Sequence, residues 1–136
     1  QSKDNAVYYI QYAHARVNRM VDVKAPEKGI PFDRSKVADY DATLLVLDAE
    51  TEILAKLAAY PEIVLRAANS YEPHQVGNYL KELAALFHGW YNLDNTRIID
   101  EQNIALSQAR LLLSINVQQV LRNGLELLGV SAPETM

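Results

Sequence analysis

The chain lacks the residues on which most catalytic and metal-binding motifs depend. Its 136 residues include no cysteine, which excludes disulfides, cysteine-ligated zinc sites and thiol catalysis. No glycine-rich phosphate loop, Gly-x-Ser-x-Gly elbow or paired-histidine motif occurs. The three histidines, His14, His74 and His88, are dispersed and are interpreted as ordinary hydrogen-bonded or exposed side chains. The scattered carboxylates are interpreted as solvated charges. We therefore expect a chain that is itself non-catalytic and holds no metal or cofactor.

Long hydrophobic runs are also missing. No apolar stretch approaches the roughly 20 residues needed to cross a bilayer, and the polar N-terminus does not resemble a signal peptide. Hydrophobic residues make up 49% of the chain and charged residues 22%, the composition of a soluble globular protein. We expect one cytoplasmic, monomeric domain over residues 1–136, with no membrane partner.

Positive charge is scarce overall and unevenly distributed. The formal net charge is −4, which argues against a general nucleic-acid binder held by bulk electrostatics. Residues 1–36 nevertheless carry seven basic against four acidic side chains, whereas residues 37–65 carry one basic against six acidic. A bound polyanion would therefore meet the first helix and the following loop, and the acidic middle would face away.

The hydrophobic pattern is helical throughout, and no segment shows the alternation typical of a strand. Apolar residues at positions 10, 13, 17 and 20/21 predict a first helix over about 5–21, capped by Asp4 or Asn5. A loop over 22–37 follows, because it holds two prolines and a glycine. Further helices are predicted over about 42–59, 61–70, the stretch from Glu72-Pro73 to 91, and 100–128, with a polar turn over 92–96 and Gly129 as the final stop. The predicted fold is an all-α bundle of about five helices.

Tyrosine is the enriched aromatic residue, with eight copies against two phenylalanines and one tryptophan. Three of them lie on the first helix, interleaved with Arg16 and Arg19. Aromatic rings beside cations suit single-stranded RNA, because bases stack on the rings and the cations pair with phosphates. The alternative is that Tyr9 and Tyr12 pack at the core edge while the arginines form surface ion pairs. Spacing alone favours this alternative.

Four sequence blocks, in order, resemble the C-terminal anticodon-binding domain of arginyl-tRNA synthetases, the DALR class. They are residues 5–16 (NAVYYIQYAHAR), residues 73–91 with Pro-His at the start and YLKELAALF inside, the ARLLL run at 109–113, and residues 120–136. Residues 22–60 match only in character. The blocks imply that the chain is the C-terminal part of a larger synthetase whose catalytic domain is absent.

The resemblance implies a domain that binds the anticodon stem-loop of an arginine tRNA and reads unstacked bases, above all the central cytosine. The positions matching the family's contacting residues are Tyr9, Tyr12, Tyr91 and Met136, with Arg16 and Arg19 as cations on the same surface. His14 and Arg110 also match and are interpreted as structural. ATP and magnesium would be used by the parent enzyme, whose catalytic domain is the second expected partner.

This sequence departs from the family pattern at Thr135, where members commonly have arginine, and in a longer turn after Tyr91. Other readings remain open from the sequence. A related helical domain of the cysteinyl or glycyl enzyme is disfavoured by the QYAHAR block. A helical protein-interaction module, whose tyrosine-rich first helix docks a partner, predicts an exposed apolar groove and weak dependence of binding on salt.

Overall fold

Helices form almost all of the regular structure in the computed structural model, which describes residues 2–93 and 97–136 and, of these, the side chains from residue 6 onward. The α-helices are α1 (Ser2–Arg19), α2 (Ala25–Glu27), α3 (Asp48–Ala58), α4 (Tyr60–Ser70), α5 (His74–Tyr91) and α6 (Ile104–Leu127). No strand occurs within the described ranges, so the prediction of an all-α bundle with five main helices is confirmed. Helix α1 begins at Ser2, so Asp4 and Asn5 lie within it and the prediction that one of them caps its start is wrong. Residues 94–96 of the polar turn lie outside what is described.

The long helices α5 and α6 form the centre of the bundle. Helix α1 packs against both of them, whereas α3 and α4 pack against α5, and α3 also contacts α6. The predicted apolar face of α1 is buried, as are the inward residues of α5 and α6: Ile10, Ala13, Val17, Met20, Val21, Val76, Leu80, Leu83, Phe87, Trp90, Ala109, Leu113, Val117 and Leu121. None of the helices in the described ranges has the length and hydrophobicity that a bilayer span requires.

The predicted loop over 22–37 is wrong in its first part, because the chain remains helical through Glu27. The backbone widens into a π-helical turn, Met20–Lys24, in which the N–H of Ala25 donates to the carbonyl of Met20. Pro26 then lies in α2, where it has no N–H to donate to a helical carbonyl. The two prolines and the glycine predict a loop here, but the wider turn accommodates Pro26. Lys24 consequently projects from a helix.

The second helix begins at Asp48 rather than at the predicted residue 42. Asp41 accepts hydrogen bonds from the N–H (3.0 Å) and the hydroxyl of Thr43, which closes a short 3-10 turn, Ala42–Leu44. Such local side-chain bonds compete with a continuous helix. The predicted ends of α4, α5 and α6 are confirmed to within a few residues, and Gly129 stops α6 with a φ of +73°.

A buried ion pair joins α3 to α6 and corrects the interpretation of every carboxylate as solvated. Glu50 is fully buried, and its Oε2 accepts hydrogen bonds from Arg110 Nε at 2.7 Å and Trp90 Nε1 at 3.1 Å. Its Oε1 accepts the N–H of Leu47 at 3.1 Å, which caps α3. Arg110 also donates from Nη1 to the carbonyl of Arg97 at 3.0 Å. The pair therefore fixes three elements: the start of α3, the end of α5 and the segment before α6.

Gly124→Ala is expected to lower the free energy of unfolding by about 1–3 kcal/mol, although alanine favours helices over glycine by about 1 kcal/mol. A Cβ at this position would lie 2.5 to 2.9 Å from three side-chain carbons of the fully buried Leu80. Urea unfolding measures the change. Gly89→Ala is the matched control, because a Cβ there meets no atom within 4 Å. We expect it to stabilise the chain by about 0.5–1 kcal/mol; equal effects from both variants would contradict a close α5–α6 approach.

Candidate nucleic-acid interface

Helix α1 presents three of the predicted contact residues on one face, because Tyr12, Arg16 and Arg19 are separated by four and then three residues. This face borders a groove of about 410 Å³, within the size range of pockets that bind small ligands. Five of the six predicted residues line it. The full lining of this α1 groove is Tyr12, Ala15, Arg16, Asn18, Arg19, Asp22, Val23, Lys24, Tyr91, Glu134, Thr135 and Met136.

The C-terminal segment reaches the groove because α1 holds it by two hydrogen bonds. Gln11 donates from Nε2 to the carbonyl of Ser131 at 2.9 Å. One turn later, Nδ1 of the fully buried His14 lies 3.0 Å from the carbonyl of Pro133. A carbonyl only accepts, so Nδ1 carries the proton, and burial lowers the pKa of His14. The neutral ring thus serves as a clamp that places Met136, which is 53% exposed, beside Tyr12 and Arg16.

Arg16 is the centre of the groove. Its guanidinium lies over the ring of Tyr91, 3.9 Å from the centroid, and over that of Tyr12 at 4.7 Å. Nη2 donates to the hydroxyl of Tyr12 at 3.1 Å, and Nη1 contacts Nδ1 of His88 at 3.0 Å. A planar cation therefore contacts two aromatic rings, which favours keeping its charge in place. This geometry corrects the surface ion-pair reading of Arg16, which bonds to uncharged partners.

His88 is held in one tautomer by its neighbours. Arginine can only donate, so Nδ1 of His88 is the acceptor, and Nε2 carries the proton toward the carbonyl of Tyr9 at 3.3 Å. Burial lowers the pKa of His88, and the adjacent Arg16 cation lowers it further, while the bond to Tyr9 opposes both. The neutral imidazole is thus the form that orients Arg16 into the groove.

Two residues of this site were not predicted from the sequence. Lys24 donates from Nζ to the hydroxyl of Tyr91 at 3.0 Å, so it fixes the ring on which Arg16 rests. It was overlooked because its segment was interpreted as loop. The sequence indicates only an ordinary histidine at position 88, yet His88 lies three residues before Tyr91 on α5 and so shares its face. That spacing was the available signal.

Tyr9 lies outside the α1 groove. Its ring packs against that of His88 with centroids 4.7 Å apart, and 37% of the residue is exposed. Tyr12 stacks on the same imidazole at 5.5 Å and on Tyr8 at 6.2 Å. The tyrosines of α1 therefore pack partly on the bundle edge, as the alternative reading expected, while they leave ring surface open beside the groove.

The profile of one protein family, the DALR anticodon binding domain, matches residues 10–136. The chain belongs to this family. The arginine–tRNA ligase of Acinetobacter baumannii (strain AYE) is 72% identical over 136 residues, which are 100% of this chain and 22% of that ligase. The arginine–tRNA ligase of Psychrobacter cryohalolentis is 50% identical over 146 residues, covering 100% of this chain and 23% of the relative. The chain therefore spans less than a quarter of the length of these relatives.

A solved structure has the same fold. The Thermus thermophilus arginyl-tRNA synthetase superposes with a TM-score of 0.73 at 31% identity, covering 94% of this chain and 21% of that one. The resemblance found in the sequence and the predicted fold class are both confirmed. The α1 groove is therefore a feature of a DALR domain.

The side-chain charges of the DALR domain favour an anion at this groove. The lining includes three basic residues, Arg16, Arg19 and Lys24, and two acidic residues, Asp22 and Glu134. The carboxylate of Asp22 also lies 3.8 Å from Nη2 of Arg34, a residue that is not part of the lining. None of the six acidic residues between 37 and 65 lines the groove. The predicted separation of the basic first helix from the acidic middle therefore holds at this site.

A second pocket, of about 250 Å³, adjoins the α1 groove. Lys24 and Tyr91 line both cavities and form their shared wall. The other lining residues of the second pocket are Met20, Lys28, Arg97, Ile98 and Ile99. The DALR domain thus has two adjacent cavities, one whose lining includes two tyrosines and three cations, and the other apolar with cations.

Proposed function

We propose that the α1 groove binds unstacked anticodon bases of an arginine tRNA, and that this DALR domain provides the recognition step of an arginine–tRNA ligase. The parent protein would act as a cytoplasmic monomer whose other parts use ATP and magnesium, and its catalytic domain would be the neighbour of this one. The observation that carries the proposal is the convergence of Tyr12, Arg16, Tyr91 and Met136, from three separate parts of the chain, on one cavity.

The chemistry of these residues suits extruded bases. Tyrosine rings offer flat faces for stacking, and the flexible thioether of Met136 adapts to the edge of a base. The guanidinium of Arg16 is itself planar and presents several donors, so a base can stack on it or accept hydrogen bonds from it. Such contacts contribute binding energy when the anticodon is correct, and this energy helps to position the distant acceptor end of the tRNA.

Tyr9 and Arg19 complete the proposed contact surface. Arg19 is exposed at the groove and can reach a phosphate without breaking an existing bond among the described residues. Tyr9 lies one turn before the groove along α1, where its exposed ring edge would meet the RNA strand as it leaves the cavity. Both remain predictions.

The test is an NMR titration of the chain with an arginine anticodon stem-loop, with a stem-loop altered only at the central base as the control. We expect chemical-shift changes centred on Tyr12, Arg16, Tyr91 and Met136, and weaker binding of the altered RNA. A mismatch at one read base costs roughly 1–3 kcal/mol, which is about a 5- to 150-fold loss of affinity.

Two outcomes would count against the proposal. Equal affinity for both stem-loops would show that the groove does not read the central base. Shift changes on the α3–α4 side of the bundle, with none on α1, would place RNA binding elsewhere. The protein-interaction alternative predicts no shift changes with either RNA at low salt; the family and its relatives give that alternative no support.

A further inference from the structure

The second pocket is the feature that the recognition of bases leaves unexplained. Three cations, Lys24, Lys28 and Arg97, line it together with the ring of Tyr91 and apolar side chains. No carboxylate is part of the lining in the described ranges. A cavity lined by three cations, next to an aromatic groove, matches the charge of a phosphate group rather than that of a neutral base.

The backbone at Arg97 and the side chain of Lys24 are held in position before any ligand binds. The carbonyl of Arg97 accepts from the buried Arg110 at 3.0 Å. Three residues further, the N–H of Asp100 donates to Ser107 Oγ at 2.8 Å, which ties the same segment to α6. On the other wall, Lys24 is fixed by its bond to the hydroxyl of Tyr91. Prior ordering reduces the entropy lost on binding.

Lys28 has a competing partner, and that partner is weak. Its Nζ lies 3.5 Å from Oε1 of Glu101, and about half of each side chain is exposed, 46% and 57% respectively. Exposed pairs of this kind contribute roughly 0–1 kcal/mol. A phosphate, which accepts several charge-assisted hydrogen bonds at once, can displace such a carboxylate.

We propose that the second pocket binds a backbone phosphate of the RNA strand whose base occupies the α1 groove. The inference rests on the proposed function, because the two cavities share the wall formed by Tyr91 and Lys24. A base and its neighbouring phosphates are adjacent along any polynucleotide, so a base stacked at Tyr91 places a phosphate near this wall. Contacts with the base then determine sequence specificity, whereas the phosphate contact in the second pocket positions the RNA strand and makes binding depend on salt.

The test compares the salt dependence of stem-loop binding by the unaltered chain and by the double variant Lys28→Ala/Arg97→Ala, which leaves Lys24 and Tyr91 in place. The pocket is proposed to hold one phosphate, so loss of that contact should reduce the magnitude of the slope of log K against log salt by about 0.7 for a single strand. We expect weaker binding at low salt by the same factor for both stem-loops, so that discrimination of the central base is unchanged. Glu101→Gln should shift affinity in the opposite direction.

The matched control is Lys36→Ala/Lys81→Ala, which removes the same charge from exposed positions that line neither cavity. Equal slopes of log K against log salt for this control and for the Lys28/Arg97 variant would overturn the phosphate site. If both variants still discriminate the central base, the proposed function is unaffected by that result. Loss of base discrimination in the Lys28/Arg97 variant would also overturn it, because the pocket would then read bases. Absence of stem-loop binding by the unaltered chain would overturn both proposals.

Discussion

Arg110→Met is expected to lower the free energy of unfolding by about 3–5 kcal/mol. The substitution leaves the carboxylate of Glu50 fully buried without its cation, 2.7 Å from where Nε of Arg110 had been. Trp90 and the N–H of Leu47 would remain as donors, but neither carries charge. The carbonyl of Arg97 would also lose its donor, so the segment before α6 should loosen. Urea unfolding followed by circular dichroism measures the loss.

Two companion variants show whether the buried charge is the cause. Arg66→Met removes the arginine of an exposed i, i+4 pair with Glu62, and we expect a change below about 0.5 kcal/mol. The double variant Glu50→Gln/Arg110→Met removes both charges and keeps an amide oxygen as an acceptor, so it should be more stable than Arg110→Met alone, because no uncompensated charge stays buried. A double variant no more stable than Arg110→Met would assign the loss to packing instead.

The buried pair also shows where local sequence patterns stop being informative. Periodicity located the apolar faces of α1, α5 and α6, because the side chains of a helix repeat every 3.6 residues whatever they pack against. Glu50 and Arg110 are 60 residues apart, and nothing near either of them indicates the other. The sequence therefore predicts a solvated carboxylate at Glu50, which lies in an acidic stretch. Only the packing of α3 on α6 shows that it is not.

The candidate site could be predicted in large part, but for a different reason. Tyr12, Arg16, Tyr91 and Met136 came from the resemblance of their surrounding motifs to a family, whereas spacing alone favoured a packing role for the tyrosines. Both interpretations describe part of the structure, since the α1 tyrosines pack on His88 and also border the groove. Neither interpretation predicts the hydrogen bonds that orient the side chains of the groove, because those bonds depend on the packing of α5 against α1.

Lys24 is the most informative omission. The two prolines and the glycine between residues 26 and 31 predicted a loop, and the start of that loop was placed at Asp22. The π-helical turn instead carries the helix four residues beyond Met20, so Lys24 reaches Tyr91. A proline restricts the backbone of its own residue and the one before it; it does not determine how the preceding turn adjusts. Helix ends at such prolines are therefore the least predictable part of this site.

The double variant Tyr12→Ala/Tyr91→Ala is expected to weaken binding of the arginine anticodon stem-loop by about 2–6 kcal/mol, or roughly 30-fold or more. Each ring offers a stacking face, and together they hold the guanidinium of Arg16 at 4.7 and 3.9 Å from their centroids. Without the rings, Arg16 keeps its bond to His88 but loses both aromatic contacts. The base therefore loses its stacking surface, and Arg16 loses the rings that hold its guanidinium. Isothermal titration at fixed salt gives the affinities.

The controls separate stacking from other roles of the same residues. Tyr91→Phe keeps the ring and removes only the hydroxyl that Lys24 bonds, so it should retain most of the affinity. Tyr71→Ala removes a tyrosine that is 91% exposed at the end of α4, outside both cavities, and should bind as the unaltered chain does. Helical content should be unchanged in every variant, because Tyr12 and Tyr91 are only partly buried. If Tyr91→Phe lost as much affinity as the double variant, the hydroxyl and Lys24, rather than the stacked rings, would be the groups that the RNA requires.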